Sequence, residues 1–131
     1  MASSSVIAKA KTLIQDHERL FESRDLDAVM RNFADDVVVV SLDTPVLAGK
    51  AALRNFYAGL MELGVWSFRH DYTGEEALES CVFLHGVARG THTPRNGDAP
   101  FSFANNFLIV TREVGGRMLV WRAAFMPGAE E

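Results

Sequence analysis

This sequence lacks paired cysteines, long apolar runs and a signal-peptide pattern. Its 131 residues include one cysteine, Cys81, so an internal disulfide is impossible. Cys81 lies in a predicted strand, where a small buried side chain is a commoner role than a nucleophile. The longest aliphatic run is the four valines at 37–40, far short of the roughly 20 residues of a membrane helix. Lys9 and Lys11 interrupt the N-terminal apolar residues, so we expect a cytoplasmic protein without a signal peptide.

Clusters of positive charge and metal-ligand motifs are also missing. The chain has 13 Lys and Arg residues against 17 Asp and Glu, for a net charge of −4. A nucleic-acid-binding face needs a basic cluster to neutralise phosphates, so we expect no nucleic-acid partner and no membrane partner. The histidines are His17, His70, His85 and His92, and none has the short His/Cys pairing of a zinc site. Spacing leaves convergence of distant ligands open, but no motif calls for a metal or a cofactor.

The composition is that of an ordinary globular domain. Hydrophobic residues make up 48% of the chain, and no internal repeat or low-complexity tract divides it. A chain of this length can bury roughly two-thirds of its unfolded surface. We therefore expect residues 1–131 to form a single domain.

Three segments of the first half have the apolar spacing of helices. The stripes are Val6, Ala10, Leu13, Ile14, His17 and Phe21; then Leu26, Val29, Met30 and Phe33; then Leu53, Phe56, Tyr57, Leu60 and Met61. Asp25 can accept hydrogen bonds from the free N–H groups that start the second helix. Gly64 can end the third with a positive φ. His17 lies within an apolar stripe and so points toward the core.

The period changes to two in the second half, which predicts strands. Four valines follow the break at 34–36, and strands are predicted at 37–40, 65–72, 77–91, 101–110 and 118–125. Turn residues at 94–98 and 113–116 separate the last three of these strands. The predicted order is α-α-β-α-β-β-β-β. Helices followed by a run of strands are typical of an α+β fold.

Several short motifs resemble those of a known family. They are Asp25-Leu26-Asp27, Phe33-Ala34-Asp35-Asp36, Gly49-Lys50-Ala51-Ala52-Leu53, Phe56-Tyr57 and the segment 116–125. Over residues 6–126 the chain resembles the nuclear transport factor 2-like superfamily, in the branch of ketosteroid isomerases and SnoaL-like polyketide cyclases. The resemblance implies a cone in which three helices of the N-terminal half pack on one face of a curved mixed or antiparallel sheet and enclose an apolar pocket.

The second face of that sheet also needs a cover. Both parities of the strand at 37–40 are apolar, and later strands add apolar residues of both parities. Three helices suffice for one face only. A sheet that is apolar on both sides predicts that a second copy covers the other, so we expect a homodimer formed through the outer sheet face.

The resemblance also implies positions for a catalytic set. Ketosteroid isomerases use a carboxylate base, with a tyrosine and a protonated aspartate as donors to the oxyanion. The tyrosine position falls on His17, the aspartate position on Asn105, and the base position on Ser41, with Asp43 two residues further along the same strand face. The residue types differ from the family's. His17 can still donate or shuttle a proton, Asn105 can donate to an oxyanion, and Asp43 is an available base.

Each of these three residues also has a purely structural interpretation. His17 could be a core histidine bonded to a backbone carbonyl, and Asp43 could be a turn former. Asn105 lies mid-strand between Phe103 and Phe107, where an unsatisfied amide is poorly placed, so a pocket-facing role is favoured.

The candidate substrate-binding residues are mostly aromatic. They are Phe33, Tyr57, Trp66, His70, Phe107, Trp121 and Phe125. His70 and Trp66 share a strand face that either lines the cavity mouth or packs. Trp121 and Phe125 share a face that the resemblance places in the cavity, where they would select a flat or bulky apolar ligand. The register of the 94–100 hairpin, and so the pocket-facing side of the strand at 81–91, stays open.

Two functions fit this pattern. In the first, the protein performs cofactor-independent proton transfer on a small apolar, carbonyl-bearing metabolite, as an isomerase or cyclase would. Asp43 or His17 then moves the proton and Asn105 steadies the enolate-like oxygen. In the second, the protein is a non-catalytic ligand-binding or dimeric interaction module. A cavity filled by the chain's own Trp, Phe and Met residues would favour the second.

Overall fold

The computed structural model describes residues 2–42 and 44–128. Its helices are α1 (Ala2–Glu22), α2 (Leu26–Met30) and α3 (Lys50–Leu63). Its strands are β1 (Phe33–Ser41), β2 (Leu47–Ala48), β3 (Gly64–Leu78), β4 (Cys81–Pro94), β5 (Phe101–Val114) and β6 (Arg117–Pro127). The predicted order of helices and strands is confirmed, with β2 as an additional two-residue strand.

The helices begin and end close to the predicted signals. The Asp25 carboxylate accepts a hydrogen bond from the Ala28 N–H at 3.1 Å and so caps α2. Gly64 follows α3 with a φ of 154°. The second helical stripe is shorter than expected, because Phe33 already pairs with Val120 of β6 and starts β1.

Six strands form one mixed sheet in the order β2-β1-β6-β5-β4-β3. The β1 and β6 strands run parallel, and all other neighbours are antiparallel. The helical pattern does end before residues 34–36, but the strand predicted at 37–40 begins earlier, at Phe33, so these residues belong to β1. Their pairing with β6 is irregular between Phe33 and Val38, however, which explains the polar interruption in the pattern.

The β3 and β4 strands were predicted with the wrong boundary between them. The β3 strand continues past residue 72 to Leu78, and a turn at Glu79, with a φ of 54°, leads into β4. A register shift between Tyr72 and Gly74 hides the continuation, because it breaks the alternation of apolar residues. Cys81 is half-buried at the start of β4.

Two glycines allow β3 to approach β4 closely in the middle of the sheet. A Cβ atom at Gly86 would lie 2.0 Å from the carbonyl oxygen of Asp71, and one at Gly90 would lie 2.2 Å from that of Ser67. Any larger residue would force the two strands apart. Glycines of this kind accompany the bends of strongly curved sheets.

The core lies between the helices and the inner face of the sheet. Ile14 and Leu53 contribute from the helices, and Val37, Val82 and Leu84 from the strands, each fully buried. This arrangement confirms the α+β fold with helices packed on one face of a curved sheet. In the described part of the chain, no helix combines the length and hydropathy needed to cross a bilayer.

Candidate functional site

A cavity of about 260 Å³ lies between the inner face of the sheet and helices α1 and α3. Seven residues that were predicted from the sequence line it: His17, Ser41, Tyr57, Trp66, His70, Asn105 and Phe125. They come from both helices and from β1, β3, β5 and β6. The fold therefore brings residues that are far apart in sequence to one chamber.

Phe33 and Phe107 do not line the cavity but support residues that do. Phe33 is 3% exposed, and its ring centroid lies 5.5 Å from that of His17 in an edge-on arrangement. Phe107 is 4% exposed and stands edge-on to His70 at 4.8 Å. Both residues hold an imidazole ring in place, and neither lies on the cavity wall.

Trp121 lies away from the cavity. Its indole N–H donates to a carboxylate oxygen of Asp36 at 3.3 Å, and the guanidinium of Arg122 lies 4.0 Å from its ring centroid. The β5–β6 register shifts between Val110 and Thr111, where Val120 is paired with Thr111 and Arg122 with Val110. Trp121 is the extra residue of this bulge, so it no longer shares a face with Phe125. The shared face that the sequence predicted is wrong for this residue.

The candidate base Asp43 lies outside the described residues. Ser41, at the base position implied by the resemblance, lines the cavity from the end of β1.

Strand pairing places His70 and Asn105 in one row across the sheet. Ala88 of β4 pairs with His70 on one side and with Asn105 on the other. Two strand spacings separate the outer members, so their Cα atoms are about 10 Å apart. The methyl group of Ala88 forms the floor between them, with Gly86 and Gly90 on the same face of β4. This pairing resolves the register that the sequence left open, and it places His85 and Arg89 on the outer face.

His17 occupies an aromatic environment. Its ring lies within 6.0 Å of the rings of Phe21, Phe33, Tyr57 and Phe68. The Nδ1 atom is buried and has no hydrogen-bond partner among the described residues, so it is not bonded to a backbone carbonyl. Burial, with a smaller contribution from the charge of His70, lowers the pKa of His17 to about 3. The imidazole is therefore neutral at physiological pH.

His70 has a carboxylate partner. Its Nδ1 atom lies 2.7 Å from Oε2 of Glu18, and the same oxygen accepts the backbone N–H of His70 at 2.7 Å. The side chain of His70 is 3% exposed and that of Glu18 is 18% exposed. Because Nδ1 is engaged, Nε2 is the ring nitrogen available to the cavity.

Several residues of the site were not predicted as such. Phe21, Phe56, Leu60, Phe68 and Phe103 complete much of the wall. Their spacing in the helical and strand stripes predicted that they are buried, but it did not predict that they line a cavity. Glu18 lies on the polar side of its helical stripe, and no spacing rule connects it to a strand 52 positions later.

The lining of the cavity is largely apolar. Within residues 2–42 and 44–128, no group of three or more His, Cys, Asp or Glu side chains is placed to hold a metal. The wall is aromatic and aliphatic apart from two imidazoles, a hydroxyl, a phenol and an amide. Burial raises the pKa of Tyr57, so this phenol stays protonated as well. A few hydrogen-bond donors and acceptors in an apolar chamber suit a largely apolar ligand that carries an oxygen atom.

Residues 14–120 match the family model described as a SnoaL-like domain. The chain belongs to the SnoaL-like family. No curated protein shows a significant match to its sequence.

This SnoaL-like chain shares its fold with solved structures of the nuclear transport factor 2-like superfamily. A ketosteroid isomerase-like protein from Erwinia carotovora atroseptica SCRI1043 superposes with a TM-score of 0.82 at 18% identity, over 94% of this chain and 96% of that one. A superfamily protein from Salmonella enterica serovar Typhimurium LT2 gives 0.85 at 11% identity, over 97% and 94%. A scytalone dehydratase-like protein from Novosphingobium aromaticivorans DSM 12444 gives 0.86 at 10% identity, over 94% and 84%. The resemblance found in the sequence is thereby confirmed at the level of the fold.

Proposed function

We propose that this SnoaL-like protein catalyses cofactor-independent proton transfer on a small, largely apolar, carbonyl-bearing metabolite, in an isomerase-like or cyclase-like step. His70 moves the proton. The observation that carries the proposal is the position of this imidazole, which lines an aromatic chamber with Nδ1 engaged by Glu18 and Nε2 left for a ligand. Histidine is the side chain best suited to exchange protons near neutral pH.

The burial of His17 supports His70 as the group that moves the proton. With a pKa lowered to about 3, His17 is a neutral imidazole at neutral pH, so it has no imidazolium proton to give up and binds no second proton. Its neutral ring can still donate one hydrogen bond to a ligand oxygen, as neutral imidazoles do in other enzymes. The role first considered for His17, that of a proton shuttle, therefore passes to His70, and His17 becomes a hydrogen-bond donor.

Asn105 is the second donor in this scheme. It faces the same chamber as His70, across the Ala88 floor. A carbon acid seated over Ala88 then has the base on one side and an amide N–H on the other. Donors held in an apolar chamber stabilise developing negative charge more strongly than water does, because the local dielectric is low.

The aromatic walls define the shape of the ligand. Trp66 is oriented by a 2.7 Å hydrogen bond from its indole N–H to the carbonyl of Leu60. Phe103 stands edge-on to Trp66 at a centroid distance of 5.7 Å. Rings fixed in this way favour a planar ligand, because they provide flat contact surfaces with little entropy to lose. The chamber is not filled by the chain's own side chains, which favours a ligand-dependent role.

The test uses 5-nitrobenzisoxazole, a planar aromatic carbon acid. A base removes its C3 proton while the ring N–O bond breaks, and the product, 2-cyano-4-nitrophenolate, is followed by absorbance. We expect the wild-type protein to accelerate this reaction and His70→Ala to lose the acceleration. His85→Ala is the matched control, because His85 is exposed on the outer face.

Wild-type acceleration that survives in His70→Ala would contradict the role of His70. Saturable binding of the probe without acceleration in the wild type would support the alternative, a ligand-binding module of the same fold. Both outcomes are read from one titration, with absorbance for turnover and tryptophan fluorescence for binding, since Trp66 lies in the wall.

We also propose a homodimer formed through the outer face of the sheet. Val40, Leu108 and Met126 are 47%, 44% and 54% exposed there. Ala124 pairs with both Val40 and Leu108, which makes a continuous apolar row across three strands. The guanidinium groups of Arg112 and Arg122 lie over the ring of Trp121. Tryptophan and arginine are among the residue types that contribute most to binding at protein interfaces.

Size-exclusion chromatography with light scattering tests the dimer. We expect a dimeric wild type and a monomeric Leu108→Glu variant. Leu78→Glu is the control, because Leu78 is similarly exposed, at 52%, but lies at the turn between β3 and β4. A monomeric wild type, or a Leu108→Glu variant that stays dimeric, would contradict the proposal.

A further inference from the structure

We infer that Glu18 is a positioning residue for His70: its carboxylate holds the proton of the neutral imidazole on Nδ1 and keeps the Nε2 lone pair directed to the cavity. This inference rests on the proposed function, because it explains how His70 is ready to accept a proton. Glu18 itself touches no ligand in this scheme. It acts only through the ring that it orients.

The contact geometry supports this assignment. A carboxylate accepts hydrogen bonds and has none to donate, so the 2.7 Å contact between Oε2 and Nδ1 requires the proton to be on Nδ1. The second hydrogen bond to the same oxygen, from the backbone N–H of His70, fixes the carboxylate relative to the strand. The hydrogen bond made by one ring nitrogen decides the protonation of the other.

Aromatic neighbours fix the plane of the imidazole. Phe107 stands edge-on to His70 at 4.8 Å and Phe68 at 5.8 Å. With the ring held on two sides and Nδ1 bonded to Glu18, rotation that would exchange the two nitrogens is blocked. Nε2 is left on the cavity side.

The surroundings of Glu18 keep its charge available to His70. Among the described residues, no lysine or arginine pairs with this carboxylate. Lys11, on the same helix, pairs instead with Glu75 and lies over the ring of Tyr72 at 4.8 Å. The negative charge of Glu18 therefore acts on His70, whose imidazolium it stabilises once the proton has arrived.

A purely structural role for Glu18 has to be separated from this one. The β3 strand is the last of the sheet, so Glu18 also satisfies a backbone N–H on an open edge. Removal of that contact could weaken the fold without any effect on the imidazole tautomer. The experiment therefore reads the ring nitrogens directly.

We would record the imidazole ¹⁵N resonances of His70 at pH 8 in the wild type, Glu18→Ala, Glu18→Gln and Glu22→Gln. Glu22 is the control, because it is exposed on the same helix and contacts Ser67 of the same strand. The wild type and Glu22→Gln should carry the proton on Nδ1. In Glu18→Ala the proton should move to Nε2, which is the tautomer preferred by free histidine. The rate with 5-nitrobenzisoxazole should fall by at least about tenfold in this variant.

Glu18→Gln keeps a neutral acceptor and should keep the Nδ1 tautomer with a reduced rate. A wild-type proton on Nε2 would overturn the inference, and so would a Glu18→Ala protein with an unchanged His70 spectrum. If His70→Ala keeps the wild-type rate while Glu18→Ala still shifts the tautomer, the proposed function fails and the positioning by Glu18 stands.

Discussion

His17 and His70 lie in one chamber, yet only His70 has a carboxylate partner. Glu18 bonds the ring of His70, whereas His17 is enclosed by aromatic rings and its Nδ1 atom has no hydrogen-bond partner among the described residues. The charge of His70 lowers the pKa of His17 further, in addition to the larger effect of burial. Two imidazoles in one cavity thus have different surroundings, one beside a carboxylate and one among aromatic rings.

The free energy of unfolding should depend on the protonation of His17. Its pKa is about 3 in the folded state and 6.5 when unperturbed, so between these values the unfolded chain binds the extra proton. Stability is therefore lost as pH falls from 6.5 toward 3, by roughly 1 kcal/mol per pH unit from this group. Urea unfolding at pH 7, 6 and 5 should show a shallower loss for His17→Phe than for the wild type. His85→Gln, at an exposed site, should keep the wild-type slope, and equal slopes for His17→Phe and wild type would contradict the burial argument.

Asn105→Ala should slow proton abstraction from 5-nitrobenzisoxazole by at least about tenfold, because one donor to the developing negative charge is lost. The melting temperature should change little, since the side chain is only half-buried. Asn106→Ala removes the same group from the opposite, exposed face and should leave the rate unchanged. Equal effects of the two variants would exclude a specific role for Asn105.

Ala88→Leu should abolish binding of the probe while it leaves stability equal or improved. The added isopropyl group would occupy the space above the cavity floor, where it gains contacts in place of empty space. Ala51→Leu is the control, because Ala51 is exposed on α3. Fluorescence titration and thermal unfolding are the measurements. Retained binding in Ala88→Leu would show that the ligand lies elsewhere.

Gly90→Ala should destabilise the protein by about 2 kcal/mol or more, because the new Cβ atom would lie 2.2 Å from the carbonyl oxygen of Ser67. Gly59→Ala should instead stabilise it by roughly 0.5–1 kcal/mol, since a Cβ there meets nothing within 4 Å and alanine favours the helix. Urea unfolding of both variants measures the two changes in the free energy of unfolding, which should have opposite signs. A neutral Gly90→Ala would mean that β3 and β4 do not approach as closely as described.

Trp121→Ala should keep the wild-type rate with 5-nitrobenzisoxazole, whereas Phe125→Ala should lower it. The reason is the β6 bulge, which places Trp121 beside Asp36 and Arg122 on the outer face and leaves Phe125 in the cavity. Steady-state kinetics of the two variants compares them directly. A loss of rate in Trp121→Ala, in a protein that remains folded and dimeric, would show that Trp121 does take part in the site.

Local signals in the sequence were enough for most of the fold. The Asp25 cap and the first and third helical stripes depend on neighbours within one or two turns, so they were predicted correctly, whereas the second stripe was extended wrongly to Phe33. The Gly115-Gly116 turn also followed from residue type, and both glycines have the positive φ that a tight hairpin needs. The boundary between β3 and β4 was not predicted, because the bulge after Tyr72 breaks the two-residue period on which such a prediction depends.

The site was only partly predictable. His17, Asn105, Tyr57, Trp66, His70 and Phe125 were predicted and line the cavity. Trp121 was placed by parity, and a one-residue bulge reverses parity for every residue on one side of it. Glu18 had no local signal at all, because its partner lies 52 positions away.

The sequence by itself determined the order of the helices and the long strands, and the family, because these depend on residue type and spacing. The tertiary structure alone decided which histidine has a carboxylate beside it and which is enclosed by rings. That difference arises from the packing of α1 against β3, where His17 points into the chamber and its neighbour Glu18 reaches the edge of the sheet. Adjacent positions on a helix point about 100° apart, so they meet different surroundings. The identity of those surroundings is a property of the packed chain, and burial among the rings is what lowers the pKa of His17.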